Sequence, residues 1–240
     1  TLGSNVQTVT LSVYDYSDWQ YALPITTDLS NGTTLNDWNM LVCLSETDAN
    51  GTGNRGFRYS QARSSGGDLR FIDQSGSKLK YEIASWNQSG KSILWLNVPS
   101  LVRHDKITMR WGNSASATPS YVTDGSAWSN YMAVYHLDQA QGVAAPDSGP
   151  HNNHASIRDP QNNQPIKSAT SIVGGSYEFP RNQNKDFRNE SMSGTLTLDN
   201  FVFIIFVNIG VNFEKNSQSK ICCDYKLYIS TTKDATGALH

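Results

Sequence analysis

The sequence is poor in charged residues, which make up 17% of its 240 residues and leave a formal net charge of −2. Soluble globular domains usually carry about a quarter of charged residues. No stripe of lysine and arginine follows any segment, so the chain lacks the positive surface by which proteins bind phosphates of nucleic acids. The sequence therefore predicts no nucleic-acid partner.

Long hydrophobic runs are also missing. The most apolar stretch is FVFIIFVNIG, residues 201–210. A membrane-spanning helix needs ~20 apolar residues, about twice that length. We therefore expect a buried β-strand here and no membrane span.

Cysteine is scarce, with Cys43 alone and the adjacent pair Cys222 and Cys223 near the end of the chain. Adjacent cysteines rarely bridge each other because the required geometry is strained. Paired CxxC spacings, which a zinc site would need, are absent. This pattern indicates thiols that are buried or unpaired, and the alternative is a bridge from Cys43 to one of the C-terminal pair.

Short apolar segments rich in aromatic and β-branched residues are abundant, and clusters of Gly, Asn, Asp and Ser separate them. This spacing is typical of β-strands joined by turns. Four such segments between residues 68 and 113 predict a β-meander with short turns. The composition, rich in Ser, Thr, Asn, Gln and Gly, favours an extracellular all-β protein over a cytosolic helical enzyme.

An ordered series of motifs gives the chain a resemblance to a known family. The motifs are DLRF (68–71), YEIASW (81–86), WLNVP (95–99) and WGN (111–113). Over residues 18–137 the chain resembles a family of secreted bacterial and archaeal modules that is filed as a domain of unknown function. In that family a jelly-roll module similar to concanavalin A or laminin G usually follows, which implies the same arrangement here.

The sequence after residue 145 resembles the beginning of such a second module. PDSGPHNNHA (146–155) is similar to its entry motif, and SYEFP (176–180) and LTLDNFVFIIFVN (196–208) are similar to its first core strands. We therefore predict an all-β protein of two jelly-roll-like β-sandwich modules, the second incomplete or divergent. The first would span 1–137, a linker or entry loop 138–175, and the partial concanavalin A-like or laminin-G-like module 176–240.

The resemblance implies a secreted, non-catalytic protein of recognition or adhesion, placed outside the cell, at its surface or in the periplasm. The expected partner is a polysaccharide or a cell-surface glycan. The chain opens at TLGSNVQTVTLSV without a methionine, as a mature or excised fragment would. One alternative is a polysaccharide-active enzyme or an accessory module of one. Another is a structural subunit of an extracellular assembly that self-associates through edge strands.

Aromatic residues are the candidate carbohydrate-binding groups, because an aromatic ring stacks on the apolar face of a sugar and Trp and Tyr also carry a polar tip. The chain has six tryptophans and eleven tyrosines. Most of them are expected in the core of the fold. Trp19, Tyr59 and Trp86 are the predicted binding residues if an exposed row exists.

The enzyme alternative depends on three carboxylates: in a glycoside hydrolase or lyase, Asp68, Asp73 or Glu82 would supply the catalytic groups. Glycosidases use two carboxylates about 5–9.5 Å apart. The alternative is that all three have purely structural roles. Asp68 and Asp73 would be turn residues at the start and end of a strand, and Arg70 would pair with Glu82 across a hairpin. We favour that interpretation and expect a binding protein rather than an enzyme.

The histidines cluster in VYHLDQAQGVAAPDSGPHNNHA, residues 134–155, which contains His136, His151 and His154. Their spacing does not fit a zinc site on one helix face. The cluster is better explained as the junction of two modules. Asp147 is a candidate ligand for a structural calcium ion, because calcium prefers oxygen ligands in loops.

Overall fold

A computed structural model of the protein describes residues 15–30, 32–47, 56–157, 166–169, 171, 173, 175–178 and 187–188. Regular structure in these residues is almost entirely β. The strands, in chain order, are β1 (Tyr21–Thr26), β2 (Thr34–Leu44), β3 (Arg70–Ile72), β4 (Lys78–Leu79), β5 (Tyr81–Ser85), β6 (Ser92–Val102), β7 (Lys106–Trp111), β8 (Ser156–Ile157), β9 (Ile166–Lys167), β10 (Tyr177–Glu178) and β11 (Phe187–Arg188). Single 3₁₀ turns lie at Tyr59–Gln61, Ser120–Val122 and Ser126–Trp128.

Seven of these strands form two antiparallel sheets. The four-stranded sheet has the order β1-β7-β3-β4, and the three-stranded sheet has the order β2-β6-β5. The longest ladder joins β2 to β6, from the pair Thr34 and Val102 to the pair Leu44 and Ser92. The remaining short strands pair as β8 with β11 and β9 with β10. The all-β prediction is confirmed for the described residues.

The predicted four-stranded meander over residues 68–113 is wrong. Strands β3 and β4 form a hairpin, but the chain then passes through Lys80 into β5, which belongs to the other sheet. It returns to the first sheet only with β7, which pairs with β3. The predicted ion pair between Arg70 and Glu82 is wrong for the same reason, since Arg70 lies opposite Arg110 and Glu82 lies opposite Trp95.

Buried and exposed side chains alternate along the strands, and this pattern shows how the two sheets share one core. In β7 the side chains of Ile107, Met109 and Trp111 are at most 1% exposed, while their neighbours in the strand are half-buried or exposed. Leu94 and Leu96 of β6 are fully buried and belong to the same cluster. Because side chains alternate between the faces of a strand, one face of each sheet supplies this cluster. Both sheets therefore bury one common core.

The middle of β6 is buried on both faces. Trp95 lies between Leu94 and Leu96 in the strand, so it points to the opposite face, and it is 6% exposed. It packs with Ala127 and Trp128 in a second buried cluster. The outer face of the three-stranded sheet is thus covered by residues that follow β7, and the candidate site lies there.

Several predictions concern residues that the structure does not describe. The apolar run 201–210, the cysteines Cys222 and Cys223 and most of the proposed second module at 176–240 lie outside the described residues. Cys43 lies in β2 opposite Ile93 and is half-buried. No helix within the described ranges is long and apolar enough to cross a membrane.

Candidate binding site

The site is built on the outer face of the three-stranded sheet. Asn39 of β2 is 3% exposed, and its side-chain amide donates a hydrogen bond of 2.8 Å to the carbonyl oxygen of Ala127. The Asn97 amide donates in turn to the Asn39 oxygen, at 3.2 Å. Buried polar groups are stable only when they are paired in this way. The two asparagines therefore fix the turn Ser126–Trp128 against the sheet.

Aromatic rings complete this contact. Trp128 packs at a tilt against Trp95, with ring centroids 5.5 Å apart, and edge-on against Tyr131, at 5.3 Å. The His136 imidazole stacks on Trp95 at 6.2 Å with an interplanar angle of 13°. Such pairs contribute about 0.5–1.5 kcal/mol beyond the burial of their area. Packing therefore holds the rings of Trp128 and His136 in fixed positions beside β5.

Glu82 of β5 meets both of these rings through one oxygen. Its Oε2 atom accepts a hydrogen bond of 2.6 Å from Nε1 of Trp128 and lies 2.9 Å from Nε2 of His136. The side chain is 17% exposed. Oε1 accepts no hydrogen bond from any residue in the described ranges. Oε2 therefore makes both contacts of the carboxylate, and Oε1 is not used as an acceptor by the described residues.

A cavity of about 330 Å³ opens beside this carboxylate. Its walls are Glu82 and Ile83 of β5, residues 121–125, Ala127 with Trp128, and the loop 147–150 with Asn152. Small-molecule sites in proteins occupy roughly 300–1,000 Å³ and combine apolar walls with a few fixed polar groups. The cavity lies at the small end of this size range, and its lining is more polar than apolar.

Asp147 organises the loop that forms the far wall. Its Oδ1 accepts the backbone N–H groups of Val134 and Gly149, each at 2.7 Å, and its Oδ2 accepts that of Asn153 at 2.8 Å. The side chain is 7% exposed. The backbone N–H of Asp147 donates to Nδ1 of His154 at 2.9 Å. One buried carboxylate therefore joins residues 134, 149 and 153.

These contacts bear on the calcium expectation for Asp147. An ionised carboxylate has about four lone-pair directions, and three of them are used by N–H groups here. Within the described residues, no group of three or more His, Cys, Asp or Glu side chains is placed to hold a metal ion. His151 and His154 are both exposed, while His136 is packed against the sheet. The observed role of Asp147 is to fix the loop.

The two loops that border the cavity touch each other at Gly125. This residue has φ of +77°, and a Cβ added to it would lie 2.6 Å from the carbonyl carbon of Gly149 and 2.8 Å from the nitrogen of Pro150. Backbone atoms at such distances cannot be displaced cheaply. Gly125 is therefore required both by its own conformation and by its contact with the loop 147–150.

We expect Gly125→Ala to lower the free energy of unfolding by about 2–3 kcal/mol, since it adds a steric clash to the cost of a positive φ. Gly76→Ala is the matched control, because Gly76 also has a positive φ, +86°, but nothing lies within 4 Å of its added Cβ. Urea unfolding of both variants measures the difference. Equal destabilisation of the two would contradict the contact between the loops.

The three aromatic residues predicted to bind carbohydrate lie elsewhere. Tyr59 is 4% exposed and its hydroxyl donates to the carbonyl oxygen of Leu44, so its ring faces are covered by protein. Trp86 is half-buried and packs edge-on against Tyr59 at 5.1 Å. Trp19 is half-buried, donates through Nε1 to the Asp68 carbonyl oxygen, and lies under the Arg70 guanidinium at 5.2 Å. The structure brings Tyr59 and Trp86 together but leaves Trp19 apart from them.

The three carboxylates of the enzyme alternative are also dispersed. Asp68 is fully buried and accepts the backbone N–H groups of Arg63 and Gly112. Asp73 accepts the N–H groups of Ser75 and Ser77 within the turn between β3 and β4. Of the three, only Glu82 lines the cavity. The expected structural roles of Asp68 and Asp73 match these contacts.

A family described as "Domain of unknown function (DUF2341)" matches residues 65–148 of the chain. This match supports the resemblance to a family of unknown function and includes Glu82, Trp128, His136 and Asp147. It covers about a third of the chain and does not extend to a concanavalin A-like or laminin-G-like module. No curated protein and no solved structure matches the chain.

Proposed function

We propose that the protein is a secreted, non-catalytic recognition module that binds a saccharide in the cavity beside Glu82. The observation that carries this proposal is the Glu82 carboxylate: its Oε2 atom is held by Trp128 and His136, and the residue lines the cavity. Sugars present many hydroxyl donors, and an oriented carboxylate is a strong acceptor for them. A position fixed before binding lowers the entropic cost of ordering the site.

The surroundings of the cavity support the same class of ligand. Thr123 and Asn152, both exposed, add neutral polar groups to the lining, while Trp128 is 3% exposed and serves mainly to hold Glu82. Because the lining is more polar than apolar, the cavity suits a small polar ring better than a large apolar ligand. In this proposal the two sheets form a β-sandwich that holds the cavity, and a jelly-roll-like module follows in residues 176–240.

The first test is a glycan array probed with the purified chain, followed by calorimetric titration of the saccharides that bind. We expect Glu82→Gln to weaken their binding about tenfold or more, because charge-assisted hydrogen bonds contribute roughly 1.5–3 kcal/mol and neutral ones roughly 0.5–1.5. The variant should fold normally. Its carbonyl oxygen can replace Oε2 as acceptor for Trp128 and His136, which leaves the –NH₂ group in the place of Oε1.

Asp37→Asn is the matched control, because it removes an exposed carboxylate from β2 that does not line the cavity. Asn also tolerates the positive φ of residue 37, which is 49°. Binding by this variant should equal that of the wild type. Loss of binding in both variants, or in neither, would contradict the assignment of the site.

A specific contact favours hydrolysis or elimination of a saccharide as the second candidate function. The Glu82 carboxylate and the His136 imidazole are 2.9 Å apart at a cavity wall, a pairing that general acid–base catalysis also uses. Release of reducing or unsaturated sugar ends from the saccharides that bind distinguishes the two functions. Turnover by the wild type that is abolished in folded Glu82→Gln would replace the binding proposal by an enzymatic one.

A further inference from the structure

The sequence contains the acceptor motif of N-glycosylation, Asn-X-Ser or Asn-X-Thr with X other than proline, at four places. Three of these motifs begin at Asn31, Asn50 and Asn189, which lie outside the described residues. The fourth, Asn87-Gln88-Ser89, lies between the strands β5 and β6. A motif this short also occurs by chance, so its surroundings in the fold decide whether it can serve as an acceptor.

The turn at residues 87–90 presents the whole motif to solvent. Asn87, Gln88 and Ser89 are all exposed. The N–H of Gly90 donates to the carbonyl oxygen of Asn87 at 3.2 Å, and the N–H of Asn87 donates to Oγ of Ser92 at 2.9 Å. The backbone is therefore held in a defined turn, with the side chains of residues 87 and 89 accessible on the surface.

The Asn87 side chain uses its oxygen in this turn and leaves its nitrogen available. Oδ1 accepts the backbone N–H of Ser89 at 3.1 Å. Nδ2 donates to no residue in the described part of the chain. A Cβ added to Gly90 would lie 2.8 Å from Nδ2, so the missing side chain at residue 90 leaves space beside the amide nitrogen. The atom that carries an N-linked glycan is thus accessible.

The turn alone does not require an asparagine and a serine hydroxyl at these positions. Asp73 makes the same bond with the backbone N–H of Ser75, at 2.9 Å, through a carboxylate oxygen. An aspartate at residue 87 would therefore serve the turn but could not be N-glycosylated. The Ser75 hydroxyl also donates to Asp73, whereas the Ser89 hydroxyl bonds to no described residue. Both groups that define the acceptor motif are thus free of a structural role.

We infer that Asn87 is N-glycosylated in the exported protein. The inference rests on the secretion proposed above, because the motif is an acceptor in secreted proteins. The donor is a sugar chain carried on a lipid phosphate, and a transferase of the producing cell performs the step. Nδ2 forms a bond to the anomeric carbon as the bond from that carbon to the phosphate oxygen breaks. One amide proton passes to a base of the transferase, and the lipid phosphate leaves with the electron pair.

The test starts from the wild-type chain purified from the medium or envelope of the cells that produce it. Trypsin, which cleaves after Lys80 and Lys91, releases the peptide YEIASWNQSGK, in which Asn87 is the one asparagine. Mass spectrometry with electron-transfer fragmentation should find a glycan on Asn87. An unmodified peptide from the exported chain would overturn the inference and leave the proposed function standing. A chain retained inside the cells would overturn both the inference and the proposed secretion.

Variants exported from the same cells identify the acceptor atom. Ser89→Ala retains the backbone N–H that Asn87 accepts but removes the hydroxyl, so the glycan should be lost. Ser89→Thr is the matched control and should retain the glycan, while Asn87→Gln should lose it. Because Asn87 does not line the cavity, Asn87→Gln should bind saccharides as the wild type does. A glycan that persists in Asn87→Gln or in Ser89→Ala would place the modification elsewhere and overturn the inference.

Discussion

Trp128→Ala is expected to lower the free energy of unfolding by about 3–5 kcal/mol, the usual cost of removing a large buried aromatic side chain. Trp128 is 3% exposed and packs against Trp95, Tyr131 and His136. Its loss would also remove the Nε1 donor from Glu82 and empty much of the second cluster. The consequence should extend beyond stability, since Glu82 would keep only His136 as a partner.

Two further variants make this prediction specific. Trp128→Phe keeps an aromatic ring but loses the Nε1 donor, and should cost about 1–2 kcal/mol. Trp19→Ala removes a tryptophan that is only half-buried, and should cost less than Trp128→Ala. Urea unfolding followed by circular dichroism gives all three values. A Trp128→Ala protein as stable as the wild type would show that residues 126–136 are not part of the folded core.

Asp147→Asn is expected to cost about 3 kcal/mol. The wild-type carboxylate accepts three backbone N–H groups in a buried position. An asparagine can accept the two that share Oδ1, but its –NH₂ group would then face the N–H of Asn153. A buried donor left without an acceptor costs about 1–3 kcal/mol, and loss of the charged acceptor weakens the remaining bonds.

Asp73→Asn is the matched control for this substitution. Asp73 also accepts two backbone N–H groups, but both bonds end on Oδ1, which asparagine retains, and the site is an exposed turn. Its stability should stay within about 0.5 kcal/mol of the wild type. Calcium should change neither the wild type nor Asp147→Asn. A calcium-dependent rise in wild-type stability that the variant lacks would instead make Asp147 a metal ligand.

The strands could be predicted from the sequence because each has a local pattern. Ile107, Met109 and Trp111 alternate with more polar residues, which marks β7 as a strand buried on one face. Both neighbours of Trp95 in β6 are apolar, and the structure shows a strand buried on both faces. Which strand pairs with which has no such signal. At Lys80 the chain crosses from one sheet to the other, which depends on how the whole core packs. The prediction of a meander is wrong for this reason.

The candidate site was harder to predict for a related reason. Glu82 is separated along the chain by 46 residues from Trp128 and by 54 from His136, so no motif joins them. The sequence marks Glu82 as a carboxylate on a predicted strand and His136 as part of a histidine-rich stretch. Trp128 carried no local sign that set it apart from the other tryptophans. Their meeting depends on the turn Ser126–Trp128 folding back over the outer face of the sheet.

The structure shows how the stretch predicted as a junction, residues 134–155, is held in place. The stretch 145–157 contains a bridge between Ala145 and Ala155, both buried, and Asp147 ties it to Val134. Residues 147–150 and Asn152 of this stretch form one wall of the cavity. Of the three histidines in residues 134–155, His136 is the one that contacts Glu82.

The most direct test of the cavity as the binding site uses the indole N–H signals of the tryptophans. In a proton–nitrogen correlation spectrum, the saccharide that binds best on the array is titrated into the labelled protein, with Trp128, Trp19 and Trp86 assigned from Trp→Phe variants. We predict a large, saturable shift of the Trp128 signal, because its N–H donates to the carboxylate that receives the ligand, and little change at Trp19 and Trp86. Shifts at Trp19 or Trp86 with an unchanged Trp128 signal would contradict the account and place the ligand on the surface aromatics.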